Sequence, residues 1–251
     1  MSRTPLILPS IIEAISDEPV KVQLRAIGER MRDLIAMGVG MARAEGTLTS
    51  LLNAHAVAVR IFEAESAAYF KYVTGGEELL RSLACKPGCV FCCHLYVEVT
   101  PLEAVAAWNT LREERYHDQR RAVSDNAARA IGLPPDQRRA AKVPCAMLSS
   151  SGACSIYETR PFACRGLYST SAQACEAALN TPVGIPLPPI RSPALPRALA
   201  AIVGVGINAA LADTGIQNET LELTTALDTL ERHPDFPARW LAGERVFSKR
   251  F

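Results

Sequence analysis

The sequence predicts a mainly α fold, a helical domain around an irregular cysteine-rich core with little or no β-sheet. Apolar residues near the N-terminus recur at steps of three and four, and several helix-start signals coincide at Thr100 to Glu103. The third observation is an absence of strand-helix alternation downstream, where cysteines are gathered into two separated blocks instead.

Val20, Leu24, Ile27, Met31, Leu34 and Ile35 fall mostly three or four apart, with Lys21, Arg25, Glu29 and Arg30 between them, so the first long element is an amphipathic helix. Gly46 interrupts it. Leu48, Leu51, Leu52, Val59 and Phe62 follow, then Gly75-Gly76 and a short run over residues 77–83, giving two or three helices before residue 85. His55 lies within this apolar pattern and reads as a packing residue.

Residues 85–93 hold Cys85, Cys89, Cys92 and Cys93, with His94 next. Residues 95–99 are too short to be assigned firmly as a strand. Thr100 then caps a helix, Pro101 suits its first position, and Glu103 returns to the cap's backbone N–H, predicting a helix to about Arg115. Glu98 and Glu103 are carboxylates near the thiols, but capping explains Glu103. Residues 112–142, with Arg112, Arg115, Arg120, Arg121, Arg138 and Arg139, read as solvated helix broken at Pro134-Pro135.

The second block carries Cys145, Cys154 and Cys164, with a turn at Ser149-Ser150-Ser151-Gly152, and Cys175 trails behind it. Six prolines between residues 181 and 197 favour an extended strap. Residues 198–211 form the longest apolar run, shorter than a bilayer span of about 20 residues, and read as a buried element. Leu223, Leu227 and Leu230 mark a further helix, and Trp240, Leu241 and Phe247 supply apolar bulk near the end.

At 251 residues the chain can bury a core without staples, and it is read as one domain. N-terminal helices occupy 1–84, the cysteine core 85–175, the strap 181–197 and C-terminal helices 198–251. Lys plus Arg is 27 against Asp plus Glu at 26, a net charge of +1, which offers no broad footprint for nucleic acid. Residues 1–20 carry Glu13, Asp17 and Glu18 where a signal peptide would be apolar, so a cytoplasmic location without membrane attachment is expected.

In a reducing cytosol eight thiols point to metal or redox chemistry rather than a disulfide framework. Soft sulfur donors suit zinc or an iron-sulfur cluster. Closed zinc sites usually use two pairs of close-spaced ligands, whereas the second block here is widely spaced, which favours iron-sulfur or more than one centre. Seven or eight thiols exceed the four that one centre needs. Cys175 is expected to stand apart, and His94 to be a hydrogen-bonding neighbour. Arg160 and Arg165 can each offset thiolate charge, Arg165 being the better candidate, while Tyr157, with Arg160 as an alternative, braces the turn at Pro161.

The strings Cys85-x3-Cys89-x2-Cys92-Cys93-His, Val-Thr-Pro-x-Glu-Ala, Pro-Cys145 and Cys154-Ser-Ile-Tyr-Glu-x-Arg-Pro-x-x-Cys164-Arg resemble the bacterial CxxCxxCC family of zinc- or iron-chelating proteins. The resemblance spans about residues 85–168, with a weaker echo at Trp240-Leu241-Ala-Gly-Glu. It implies Cys85, Cys89, Cys92, Cys93, Cys145, Cys154 and Cys164 as metal ligands. A related branch, flagellin lysine N-methylase, implies a rival activity, S-adenosylmethionine-dependent methylation of a protein lysine. No Gly-rich nucleotide loop follows a strand here. The spacing of Cys85, Cys89 and Cys92 with Phe91 also resembles the radical S-adenosylmethionine motif, but the alternating strands and helices of such proteins are missing. The expectation is therefore an iron-sulfur protein, 4Fe-4S favoured over Zn2+, in a redox, electron-transfer or metal-handling role with a protein or peptide substrate or redox partner.

Overall fold

The computed structural model describes residues 4–247. After the short turn α1 (Ser10–Glu13), α2 runs over Glu18–Glu45. The Asp17 side chain accepts the Val20 N–H at 3.1 Å, Pro19 occupies the first turn, and Gly46 at φ 67° ends the helix in a conformation other residues adopt with difficulty. Its inner stripe, Leu24, Ile27, Met31, Ile35, Val39 and Ala42, is buried. The chain turns into α3 (Thr49–Tyr72), packed on α2, and then into α4 (Gly76–Ser82).

The first cysteine block is a loop closed by a 3-10 turn at Phe91–His94, followed by β1 (Glu98–Val99) and α5 (Pro101–Leu111). The capping box at Thr100 is present: Glu103 N–H donates to Thr100 Oγ1 at 3.2 Å, and Glu103 Oε2 accepts the Thr100 N–H at 2.8 Å. The helix stops at Leu111 rather than Arg115, because residues 114–116 tighten into a 3-10 turn before α6 (His117–Ala130).

After α6 comes α7 (Pro135–Ala140), and here two arginines are not solvated as expected. Arg138 and Arg139 are buried at 1% and 5% exposure. Arg138 donates to the Val143 carbonyl, and Arg139 donates to carbonyls of Ala178 and Thr181. Carbonyls left over at a helix end supply acceptors that periodicity cannot reveal.

The second block leads through α8 (Phe162–Arg165) to α9 (Ala172–Asn180). The strap over 181–193 is extended, but α10 begins already at Ala194 and runs to Asp213, with Pro196 in its first turn, where the missing N–H costs nothing. At 20 residues it reaches bilayer-spanning length, longer than the apolar run alone suggested, while half of its most apolar window is buried within the protein. Ala198, Leu199, Ile202, Val203 and Ile207 face inward, and α10 lies along α2 as the central pair of the core. Burying each such aliphatic side chain contributes roughly 1.5–3 kcal/mol.

Small residues permit that closeness: a Cβ on Gly206 would stand 2.3 Å from the Gly28 carbonyl oxygen. The buried Arg32 of α2 clamps the far end, donating to both Asp213 carboxylate oxygens at 2.6 and 2.8 Å. Beyond α10, β2 (Leu221–Glu222) pairs antiparallel with β1 in the register Glu98↔Glu222 and Val99↔Leu221. α11 (Leu223–Arg232) then covers α5 and α6, and α12 (Phe236–Leu241) buries Trp240, whose Nε1–H donates to the Gln217 carbonyl at 3.0 Å. The fold is mainly α, with 63% of the described residues helical, and carries this two-stranded ladder.

Candidate metal centre

The two cysteine blocks meet by backbone contact before any thiol is considered. Cys145 N–H donates to the Cys93 carbonyl at 2.6 Å. Residues 145–155 fold back on themselves through Ser149 N–H to the Ala153 carbonyl and Ser155 N–H to the Met147 carbonyl, both 2.8 Å, which aligns Leu148 with Cys154. Gly152, at φ 77°, turns the tip. A Cβ there would lie 3.1 Å from Gly88 Cα, so the tip rests on the Pro87-Gly88 turn of the first block.

Further bonds fix each flank. Ala84 N–H donates to the Ser169 carbonyl at 2.8 Å, and Ser169 N–H donates to Cys85 Sγ at 3.2 Å. Cys93 N–H closes the 3-10 turn on the Val90 carbonyl at 3.0 Å. His94 Nδ1 bonds the same oxygen at 3.2 Å, which makes it a hydrogen-bonding neighbour. Glu103 does more than cap: its Oε1 accepts the Phe162 N–H at 2.8 Å, anchoring the helix that bears Cys164 to α5. On its other side Gly166 packs so closely on α10 that a Cβ would stand 2.6 Å from the Pro196 carbonyl oxygen.

All eight cysteines are free thiols, and the packing sorts them. Cys164 feels Cys145, Cys92 and Cys154 at once, and burial followed by their repulsion pushes its thiol well up. Burial chiefly, with Cys154 adding to it, raises Cys145 to about 11. Cys92 is raised first by its hydrogen bond with the adjacent Cys93 thiol and then by burial. Cys85 and Cys89 are also raised by burial and interact with Cys92 and with Cys175.

Backbone N–H groups oppose this rise at several sulfurs. Phe91 donates to Cys89, Met147 to Cys145, and Ile156 to Cys154, each two residues beyond the thiol it serves. Amide donors of this kind stabilise a thiolate, but burial and the neighbouring sulfurs outweigh them, so the metal-free thiols stay protonated and neutral, and forming the thiolates calls for positive charge among them. Soft thiolates and amide donors fit zinc or iron by chemistry. Among the described residues, no group of three or more His, Cys, Asp or Glu side chains is gathered tightly enough to hold a metal ion. The backbones have converged and the side chains have not closed.

Two expectations are revised. Cys175 does not stand apart: Ser169, bonded to Cys85, is also bonded to Ser171, whose Oγ accepts the Ala174 N–H and caps α9, placing Cys175 in that helix's early turns near Cys85 and Cys89. The signal in sequence was Ser171 three residues before Ala174, a cap that fixes where the helix begins. The arginines share the two roles, Arg165 acting as a brace while its charge still lowers Cys154. Arg165 spends its guanidinium on Glu63 at 2.5 Å and on the carbonyls of Tyr157, Glu158 and Arg160, so it braces the turn. Arg160 stacks 4.1 Å over the Tyr157 ring and lowers Cys92, Cys154 and Cys164 by its charge.

No curated protein and no solved structure matches the chain. Residues 84–179, which contain all eight cysteines, match the CxxCxxCC family model, described as a "Putative zinc- or iron-chelating domain", a similarity that suggests zinc or iron chelation for this segment.

Proposed function

We propose that the protein carries an iron-sulfur centre, 4Fe-4S in preference to zinc, on cysteines of its two blocks, and serves a redox, electron-transfer or metal-handling role in the cytoplasm with a protein or peptide redox partner. The observation that supports this reading is the convergence of the two blocks, with Cys145 N–H bonded to the Cys93 carbonyl and Cys164 close enough to Cys92, Cys145 and Cys154 to interact electrostatically with all three. Cys164 and those three give the number of thiolates one cluster requires. Cys85, Cys89 and Cys93 are the remaining candidate ligands. A bound cluster would supply one-electron chemistry at a potential set by the charge and hydrogen bonds around its sulfurs. The chain's own part is to hold those sulfurs: Arg160 offsets their charge, and the N–H groups of Met147 and Ile156 fix Cys145 and Cys154. Methylation of a protein lysine is the rival, supported by the resemblance of the cysteine strings alone.

Protein purified without oxygen is expected to be brown, with visible absorption, a cluster EPR signal on reduction and about four iron atoms per chain. Colourless protein with one zinc would replace iron by zinc. Cys164→Ser and Cys154→Ser are each expected to lose most of the metal, and full occupancy in both variants would overturn the centre.

A further inference from the structure

Between α3, α4 and the turn that precedes α8 lies a cavity of about 470 Å³. Its walls include Phe62, Phe70, Tyr157 and Tyr168, with Ser66 and Arg160 among them. The aromatic rings are held edge to face, Phe70 against Tyr168 at 5.6 Å and Phe62 against Phe162 at 5.6 Å, so one side of the cavity is rigid and apolar.

Two polar groups in this lining are unsatisfied. Ser66 is 5% exposed and its Oγ has no hydrogen-bond partner in the protein. Arg160 Nε is likewise buried without a partner. A buried donor left unpaired costs roughly 1–3 kcal/mol, and two lining one cavity amount to a strong preference for an acceptor from outside. The charges around them say which kind. Arg165 is paired with Glu63, and the lining as a whole carries Arg160, Arg165 and Lys71 against Glu63 and Glu77, a net positive charge. Arg160 stacks on the Tyr157 ring and has no carboxylate partner among the described residues.

We infer that this cavity is a binding site for a small planar aromatic carboxylate, its ring against Phe70 and Tyr168 and its carboxylate accepting from Arg160 Nε and Ser66 Oγ. The volume is within the range of small-ligand pockets and suits one or two fused rings. The inference is independent of which metal the thiols hold. Arg160 joins the two sites, because its charge also acts on Cys92, Cys154 and Cys164.

The test is saturation-transfer NMR and titration calorimetry on the metal-loaded full chain, with a panel of benzoates, cinnamates and indole carboxylates, each paired with its neutral carboxamide. At least one carboxylate is expected to bind below about 1 mM and at least about tenfold tighter than its amide, a charge-assisted bond being roughly twice as strong as a neutral one. Ser66→Ala removes a hydroxyl with no internal partner, so it should melt at or above the wild-type temperature, keep its metal, and bind the carboxylate several-fold more weakly. Arg160→Lys should weaken it further. Equal binding of acid and amide, no binding across the panel, unchanged affinity in both variants, or a Ser66→Ala protein that melts well below wild type would each overturn the assignment.

Discussion

The crossing of α2 and α10 and the seam between the cysteine blocks are built on opposite terms. At the crossing Met31, Ile35, Ile202 and Ile207 are wholly buried, and Gly28 and Gly206 bring the two backbones together. At the seam the cysteines are half-buried or exposed, and what holds the segments together is amide hydrogen bonding, from Cys145 to Cys93 and from Ser169 to Cys85. One region is stabilised by removing apolar area from water. The other is shaped by its main chain, with thiols that burial holds protonated and that are not gathered into one set. Met147, Ile156 and Phe162 tie the seam into the core, so the seam is positioned by the core without being closed by it.

Glu103 is the bridge between them, and breaking it should have the largest effect. Glu103→Ala removes the capping box and leaves the N–H groups of Thr100 and Phe162 unpaired in a buried place, a loss expected to reach about 3–5 kcal/mol in denaturant unfolding, together with reduced metal content. His55 tests the core side of that bridge. It is buried edge-on to Phe162, and desolvation first, then the charge of Arg165, depresses it from 6.5 to about 4. A neutral buried histidine stabilises the fold fully above pH 6.5 and loses that contribution as pH falls toward 4, where the unfolded chain binds the proton and the folded one does not. Comparing wild type with His55→Leu between pH 7 and 4 should show a wild-type decline of about 2–3 kcal/mol that the variant lacks.

Smaller effects separate the regions. Gly206→Ala drives a methyl group into the Gly28 carbonyl and should cost about 2 kcal/mol by calorimetry while leaving metal content unchanged. Gly152→Ala acts on the seam alone: strain at φ 77° costs about 1 kcal/mol, and the tip lifts from Gly88. Its signature should be faster reaction of the metal-free thiols with Ellman's reagent at almost unchanged melting temperature. If Gly206→Ala loosened the thiols as much as Gly152→Ala, the division between core and seam would be mistaken.

The same division explains what could be read in the sequence. The α2 stripe follows a period that burial imposes on side chains, and Thr100-Pro101-x-Glu103 is a local hydrogen-bonding pattern completed within four residues, so both were legible. Arg138 and Arg139 were misjudged because their acceptors are carbonyls of residue 143 and of residues 178–181, the latter some 40 residues away. The surroundings of Cys175 and the bracing bonds of Arg165 depend likewise on which distant atoms a side chain meets. Spacing along a chain says which cysteines can reach one another, and only the tertiary contacts say which do.

The bond from Cys145 to Cys93 also has a bearing on how the protein is made. Its donor lies 52 positions after its acceptor, counting from 93 to 145, and a ribosome adding about 5–20 residues per second leaves the first four thiols without their partners for roughly 3–10 seconds. A metal ion captured in that interval would be held by the nascent segment 85–93 alone. Loading of the complete set must wait until residue 164 has left the exit tunnel, which makes timing of supply, as well as affinity, a determinant of what the finished chain carries.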